Sequence, residues 1–186
     1  AFVAQAADRR AICYATANAL RAEAASLVPK FADYWKEQTG RSPARLLFDS
    51  RATTYAGLNQ LTERQVGFIT IRRRGPGMLA RVARLSADHW RHCQITQAKG
   101  RRRRVQYVDE LVRLDGYEGE LRQLVVTGLG HESPTFFLTN DREATPRALV
   151  FKANDRGDEE NLIAQLKGGV HALRAAVDNL VSNWAY

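Results

Sequence analysis

Hydrophobic positions along the chain switch between a period of two and a period of three to four, and each switch marks an element. Phe2 to Gln5 and Ala11 to Ala15 are short apolar runs around polar Ala7-Asp8-Arg9-Arg10, which predicts a β-hairpin. Within Asn18 to Gln38, Ala22, Ala25, Val28, Ala32 and Trp35 recur at helical steps, and Gly40 follows as a stop. Pro29 lies inside this pattern, where it can kink the helix or split it in two. After Pro43, Leu46-Leu47-Phe48 is a continuous apolar run, the pattern of a strand buried on both faces, and it ends at Asp49. Ser50 to Tyr55 reads as a turn, with Thr53 or Thr54 placed to cap a helix containing Leu58, Leu61 and Val66. Gly67-Phe68-Ile69-Thr70-Ile71 is a further strand, closed by Arg72-Arg73-Arg74-Gly75-Pro76-Gly77. This order predicts an α/β sheet with a hairpin at one edge.

From Met78 to Asn140 the texture changes. Val105 to Leu114, Leu121 to Leu129 and Pro134 to Leu138 read as strands separated by Gly116, Gly119, Gly128 and Gly130. The stretch reads as a mostly antiparallel β insertion. Ala144 to Lys152 returns to helical or mixed character, and Asp155 to Asn183 is a second helical stretch, interrupted at Gly168-Gly169. At 186 residues and 45% hydrophobic, the chain can bury one sizeable core with an insertion. Ala1 and the apolar pattern running up to Tyr186 suggest a piece of a longer protein.

Charge narrows the function. Lys plus Arg number 28 against 20 Asp plus Glu, a net +8, and arginine carries most of it. Arginine forks onto phosphates and stays charged, which fits a polyanionic partner. Cys13 and Cys93 stand far apart without ligand spacing, so neither a disulfide framework nor a zinc site is indicated. No apolar run reaches membrane-spanning length and no signal peptide is visible, so a cytoplasmic location is expected.

Two acidic positions carry the candidate chemistry. An ionised Asp49 at the end of a buried strand is costly without a cation opposite it. The carboxyl ends of strands are also where α/β sheets bind ligands. Asp49 is therefore either a metal or catalytic carboxylate or a cap for the next helix. In the last helical stretch Arg156, Glu160, Ile163 and Lys167 step by four, three and four onto one helix face, opposite Leu162, Leu166, Val170, Leu173, Val177 and Leu180. That face is either a solvated surface with an Arg–Glu pair or a functional one.

Leu47-Phe48-Asp49-Ser50, Thr53-Thr54-Tyr55 with Leu58, and Phe68 to Arg74 together resemble the segment around the second acidic residue of insertion-sequence DDE transposases. Arg156, Glu160 and Lys167 fall at the offsets of that family's Tyr–x2–Arg–x3–Glu–x6–Lys signature, and Glu159-Glu160-Asn161-Leu162-Ile163 resembles its usual wording. Trp35-Lys36, Thr39-Gly40, Leu129-Gly130-His131 and Leu138-Thr139-Asn140 also read like the family. Two features depart from it. The signature tyrosine falls at Ala153, and the family's first catalytic Asp has no counterpart here, since Asp8 sits in the hairpin turn.

The resemblance implies a ribonuclease H-like mixed sheet flanked by helices and interrupted by the β insertion. The core would span 1–77, lacking its first strand, the insertion 78–140, and the return to the core 141–186. It implies metal-dependent phosphodiester cleavage and strand transfer in cut-and-paste transposition, by a homodimer assembled on transposon ends and target DNA. In-line attack on a phosphodiester uses two divalent ions about 4 Å apart, and Mg²⁺, or Mn²⁺ in its place, prefers carboxylate oxygens. By resemblance Asp49 and Glu160 are metal ligands and catalytic acids, within about 10 Å of each other. Arg156 and Lys167 would contact DNA phosphates, with Arg72, Arg73 and Arg74 steering DNA to the site. The run Arg101 to Arg104 is either a phosphate-contacting or a solvated surface. Trp35, Trp90 and Trp184 read as core or interface aromatics, and His131 as a loop histidine. The alternative to the enzyme is an inactive remnant or nucleic-acid-binding module that keeps the fold.

Overall fold

A computed structural model describes residues 2–8, 11–16, 23–96, 102–130 and 132–154. The strands are β1 (Phe2–Ala6), β2 (Ala11–Thr16), β3 (Arg45–Phe48), β4 (Gly67–Ile71), β5 (Arg91–Thr96), β6 (Arg102–Val112), β7 (Leu121–Thr127) and β8 (Thr135–Thr139). The helices are α1 (Ala24–Thr39), α2 (Tyr55–Glu63), α3 (Pro76–Ala83) and α4 (Pro146–Asn154). A mixed sheet runs in the order β3-β4-β8-β7-β6-β5. Among the described residues only β3 and β4 pair in parallel, and every other ladder is antiparallel. The strands after residue 78 therefore do not stand apart: β8 pairs with β4 (Ile69 opposite Thr139, Ile71 opposite Phe137) and extends the same sheet.

Strand alternation divides the core between two faces. On one face, α1 and α2 cover Phe48, Phe68, Leu121 and Leu138 through Val28, Ala32, Leu58 and Leu61. Further along that face α3 and the turn after it cover Val108, Val125 and Phe136 through Val82, Met78, Leu79 and Trp90. On the opposite face α4 sets Leu149, Val150 and Ala153 over Ile69, Phe137, Leu124, Val126, Val105 and Ile95. Among the described residues no helix is long and apolar enough to cross a membrane.

Several expectations change. The hairpin is not at an edge of the main sheet: β1 and β2 form a separate two-stranded sheet. Aromatic packing holds it instead, with Tyr14 centred 5.6 Å from Phe31 and 4.9 Å from Tyr34 of α1, and Trp35 of α1 6.1 Å from Phe31. Residues 76–83 are helical, whereas the sequence pattern predicts β texture from Met78 onward. Pro76 opens that helix, where its missing N–H costs nothing, and Met78, Leu79 and Val82 share its inner face. The strand before Asp49 faces packed side chains on both sides, yet Leu46 and Leu47 are only half-buried because β3 is an edge strand among the described residues.

Pro29 does not split α1. Its missing N–H deprives the Ala25 carbonyl of its helical donor. The Thr53 hydroxyl supplies one at 3.0 Å, tying the turn before α2 to α1. Gly57 is the glycine this joint requires, since a Cβ there would lie 2.0 Å from Thr53 Oγ1. A bidentate pair, Arg64 to Asp33 at 2.7 and 3.1 Å, clamps the same two helices. Gly57→Ala should lower stability by about 1–3 kcal/mol despite alanine's better helix propensity, because the methyl displaces the Thr53 hydroxyl. In a Thr53→Ala background the same change should be neutral or stabilising by up to about 1 kcal/mol. Urea unfolding of the four proteins measures this, and additive effects would refute the joint.

Candidate functional site

The carboxyl ends of β3 and β4 carry the residues singled out from the sequence. Asp49 follows directly on β3 and is exposed, so the burial cost expected of it does not arise. Its Oδ1 accepts from the Arg51 N–H at 3.0 Å and the Ser50 hydroxyl at 3.2 Å, and its carbonyl accepts from the Ala52 N–H. Asp49 thus shapes the turn leaving β3. The cap of α2 is Thr54, whose hydroxyl accepts from the Gly57 N–H at 3.3 Å. That removes the helix-cap reading of Asp49.

Ala153 lies in the last turn of α4 and joins Leu47, Phe48, Ile69, Ile71 and Phe137 around a void of ≈10 Å³. The signature position lacking its tyrosine is therefore filled by a buried alanine packed over the ends of β3 and β4. Arg156, Glu160 and Lys167 lie outside the described residues, as do His131, Arg101 and Trp184, so the Asp49–Glu160 separation is not described. Among the described residues no group of three His, Cys, Asp or Glu side chains is gathered for a metal.

The three arginines after β4 part company. Arg72 is half-buried, and its Nη1 donates to Gln123 Oε1 at 2.7 Å. Gln123, fully buried on β7, donates in turn to Glu110 at 2.6 Å, and Arg81 of α3 grips Glu110 through both Nη atoms at 2.9 and 2.5 Å. Arg74 is exposed and donates to the Pro134 carbonyl at 3.3 Å, whereas Arg73 is exposed and has no hydrogen-bond partner among the described residues.

A cavity of ≈310 Å³ opens between the start of α2 and the end of β4 on the α1–α2 side. Ser50, Thr53, Thr54, Tyr55 and Leu58 form one wall; Thr70, Ile71, Arg72, Arg73 and Leu138 form the other. Sequence reading did not single out Thr70, Gln123 or Glu110. The available signal was a polar residue in the middle of an apolar strand, Gln123 in Leu121–Thr127 and Thr70 in Gly67–Ile71.

The opposite face has its own charge network. Arg122 is buried; it forks onto Asp109 at 2.7 and 2.8 Å and donates to the carbonyls of Asp141, Arg142 and Ala144. Arg45 pairs with Asp141, which also accepts the N–H groups of Glu143 and Ala144. These contacts fix the loop that delivers α4 to the sheet.

No protein-family model matches this chain, and no curated protein matches it.

Burial pulls the Glu110 carboxyl up, but hydrogen bonds from Arg81 and Gln123 and the charges of Arg81 and Arg72 outweigh it and hold the group below the ordinary range. Burial likewise opposes the Ala144 N–H and the Arg45 charge at Asp141, and the lowering wins. A depressed folded pKa gives stability that is complete above the unfolded values, about 4.3 for Glu and about 3.9 for Asp, and lost as pH falls through the folded values. Urea midpoints should therefore hold constant down to about pH 5 and fall below it. In Arg81→Met burial acts on Glu110 with its main partner gone, so the folded pKa moves up towards or past the unfolded value; the variant should be less stable near neutral pH and its fall in acid should be smaller. An unchanged profile would show that Arg81 does not set Glu110's titration.

Proposed function

We propose that the chain is catalytic-core material of a metal-dependent DNA strand transferase of the insertion-sequence DDE type, with a ribonuclease H-like sheet. The observation that supports this most is the position of Ala153. The last turn of α4 packs against Leu47, Phe48 and Ile71, beside the end of β3 from which Asp49 emerges. Glu160 follows Ala153 by seven residues. That stretch spans about 10 Å if helical and at most about 25 Å if extended. A tether of either length is compatible with Glu160 sharing a site with Asp49.

The donor chemistry fits a hard divalent cation. Two carboxylates with water complete the oxygen coordination that Mg²⁺ prefers. When bound, such ions activate the attacking hydroxyl and stabilise the leaving oxygen of a phosphodiester. In this reading Asp49 and Glu160 hold the cation, the turn bonds from Ser50 and Arg51 orient the Asp49 carboxylate, and Arg156 and Lys167 bind phosphates of the transposon end. Exposed Arg73 and Arg74 draw DNA towards the end of β4. Arg72 is committed to Gln123 through one nitrogen and acts from a fixed position.

The non-catalytic alternative rests on Ala153, which replaces an aromatic contact with a buried methyl group. Mn²⁺ binding followed by electron paramagnetic resonance separates the two readings. The unaltered chain should bind Mn²⁺, and Asp49→Asn and Glu160→Gln should each weaken binding by at least about tenfold, the lower end of what loss of even an outer-shell partner costs. DNA binding that needs no metal, together with Mn²⁺ binding indifferent to both substitutions, would favour the binding module.

A further inference from the structure

The cavity between α2 and β4 has features that the acid site does not use. Thr70 is 5% exposed, and its hydroxyl Oγ1 has no hydrogen-bond partner. Alternation along β4 puts the Thr70 side chain with Phe68 on the α1–α2 side, where the residue lines the ≈310 Å³ cavity; it also borders the ≈10 Å³ void beside Ala153, and its closed-off hydroxyl meets a ligand in the larger cavity by rotation about χ1. A buried hydroxyl without a partner forfeits its hydration, so a ligand that takes its proton recovers that cost.

The surrounding groups specify the ligand's charge. The amino-terminal turn of nine-residue α2 forms one wall, where the N–H groups of Tyr55 and Ala56 have no intrahelical acceptor. The helix start also carries partial positive charge. Arg72 and Arg73 stand on the other wall. Apolar Leu58 and Leu138 between them lower the local dielectric, which strengthens the pull of every donor on an anion. Among the described residues no carboxylate lines the cavity, Asp49 included.

We propose that this cavity is an oxyanion site taking a phosphate group, bound by the Thr70 hydroxyl, the start of α2, Arg72 and Arg73. The Arg72–Gln123 bond serves it as a positioning contact, since it fixes a long side chain that would otherwise lose conformational freedom on binding. The phosphate is either a free phosphate or one belonging to a nucleic-acid strand. The site shares Arg72 and Arg73 with the DNA path of the proposed function and rests on that reading for a strand phosphate, while the Thr70 hydroxyl and the start of α2 take no part in holding the cation at Asp49.

The test is titration of the full chain with inorganic phosphate, and separately with a short single-stranded oligonucleotide, in EDTA so that no divalent ion contributes. Binding is read by calorimetry and by chemical-shift changes of the Tyr55 and Ala56 amides. Thr70→Val keeps the side chain's shape and removes the unpaired hydroxyl, so it should fold with an unchanged or higher Tm. It should weaken phosphate binding about tenfold, the size of one hydrogen bond to an anion. Arg73→Gln should weaken it by a similar factor. If both ligands bind and both variants weaken both, the site takes a strand phosphate; if only inorganic phosphate responds, it takes a free one. Absence of binding, or binding that Thr70→Val leaves unchanged, would overturn the site. Mn²⁺ binding at Asp49 should stay the same in both variants, so failure here is distinguishable from failure of the cation site.

Discussion

Everything else in this structure depends on β4 having both edges occupied. One edge takes β3 in parallel and the other takes β8 in antiparallel orientation. A strand so enclosed has nearly all its backbone groups paired and both faces covered, which is why Phe68 and Ile69 are buried and belong to different cores. Asn140, just past β8, reinforces the junction. Its side chain accepts from the Phe68 N–H and donates to the Val66 carbonyl and the Thr62 hydroxyl, so the end of one strand holds the start of the other. Among the described residues this is the one ladder that joins the parallel α/β unit to the antiparallel strands, and it makes them one sheet.

Polar groups then organise what the apolar clusters leave open. The chain Arg72–Gln123–Glu110–Arg81 runs across the sheet between the cluster under α1–α2 and the cluster under α3. A fully buried amide in that position is tolerable because its donor and its acceptor are both used. The network also determines where Arg72 can go, so a structural contact sets the geometry of the cavity wall. On the other face Arg122 and Arg45 hold the loop before α4. The basic composition therefore divides into arginines that brace the fold and arginines such as Arg73 that face solvent, a division that net charge cannot reveal.

The turn between β3 and α2 shows the same economy. Asp49, Ser50, Thr53 and Thr54 follow one another closely, and each has a different role. Asp49 turns the chain, Ser50 donates to it, Thr53 satisfies the carbonyl exposed by Pro29, and Thr54 caps the helix. Local polarity alone makes all four look like helix caps.

The sequence by itself determined the local elements of this protein. The stop at Gly40, the strand up to Phe48, the cap before Tyr55, the strand from Gly67 and the antiparallel strands β6 to β8 were legible, because hydrophobic period and turn chemistry act over a few residues, whereas α3 and the polar strand β5 were not. It also supplied the two acids and their family-like spacing, one of which, Asp49, emerges at the end of β3. Tertiary structure decided the rest. That β8 docks on β4, that the hairpin leaves the sheet to pack its aromatics on α1, and that Arg72 answers Gln123 rather than solvent are contacts between residues far apart in the chain, up to about seventy positions for β4 and β8. No local pattern encodes them. Thr70 is the sharpest case. A threonine in a strand is ordinary by its propensity, and only the packing of α2 and Leu138 around it leaves its hydroxyl buried beside an open cavity.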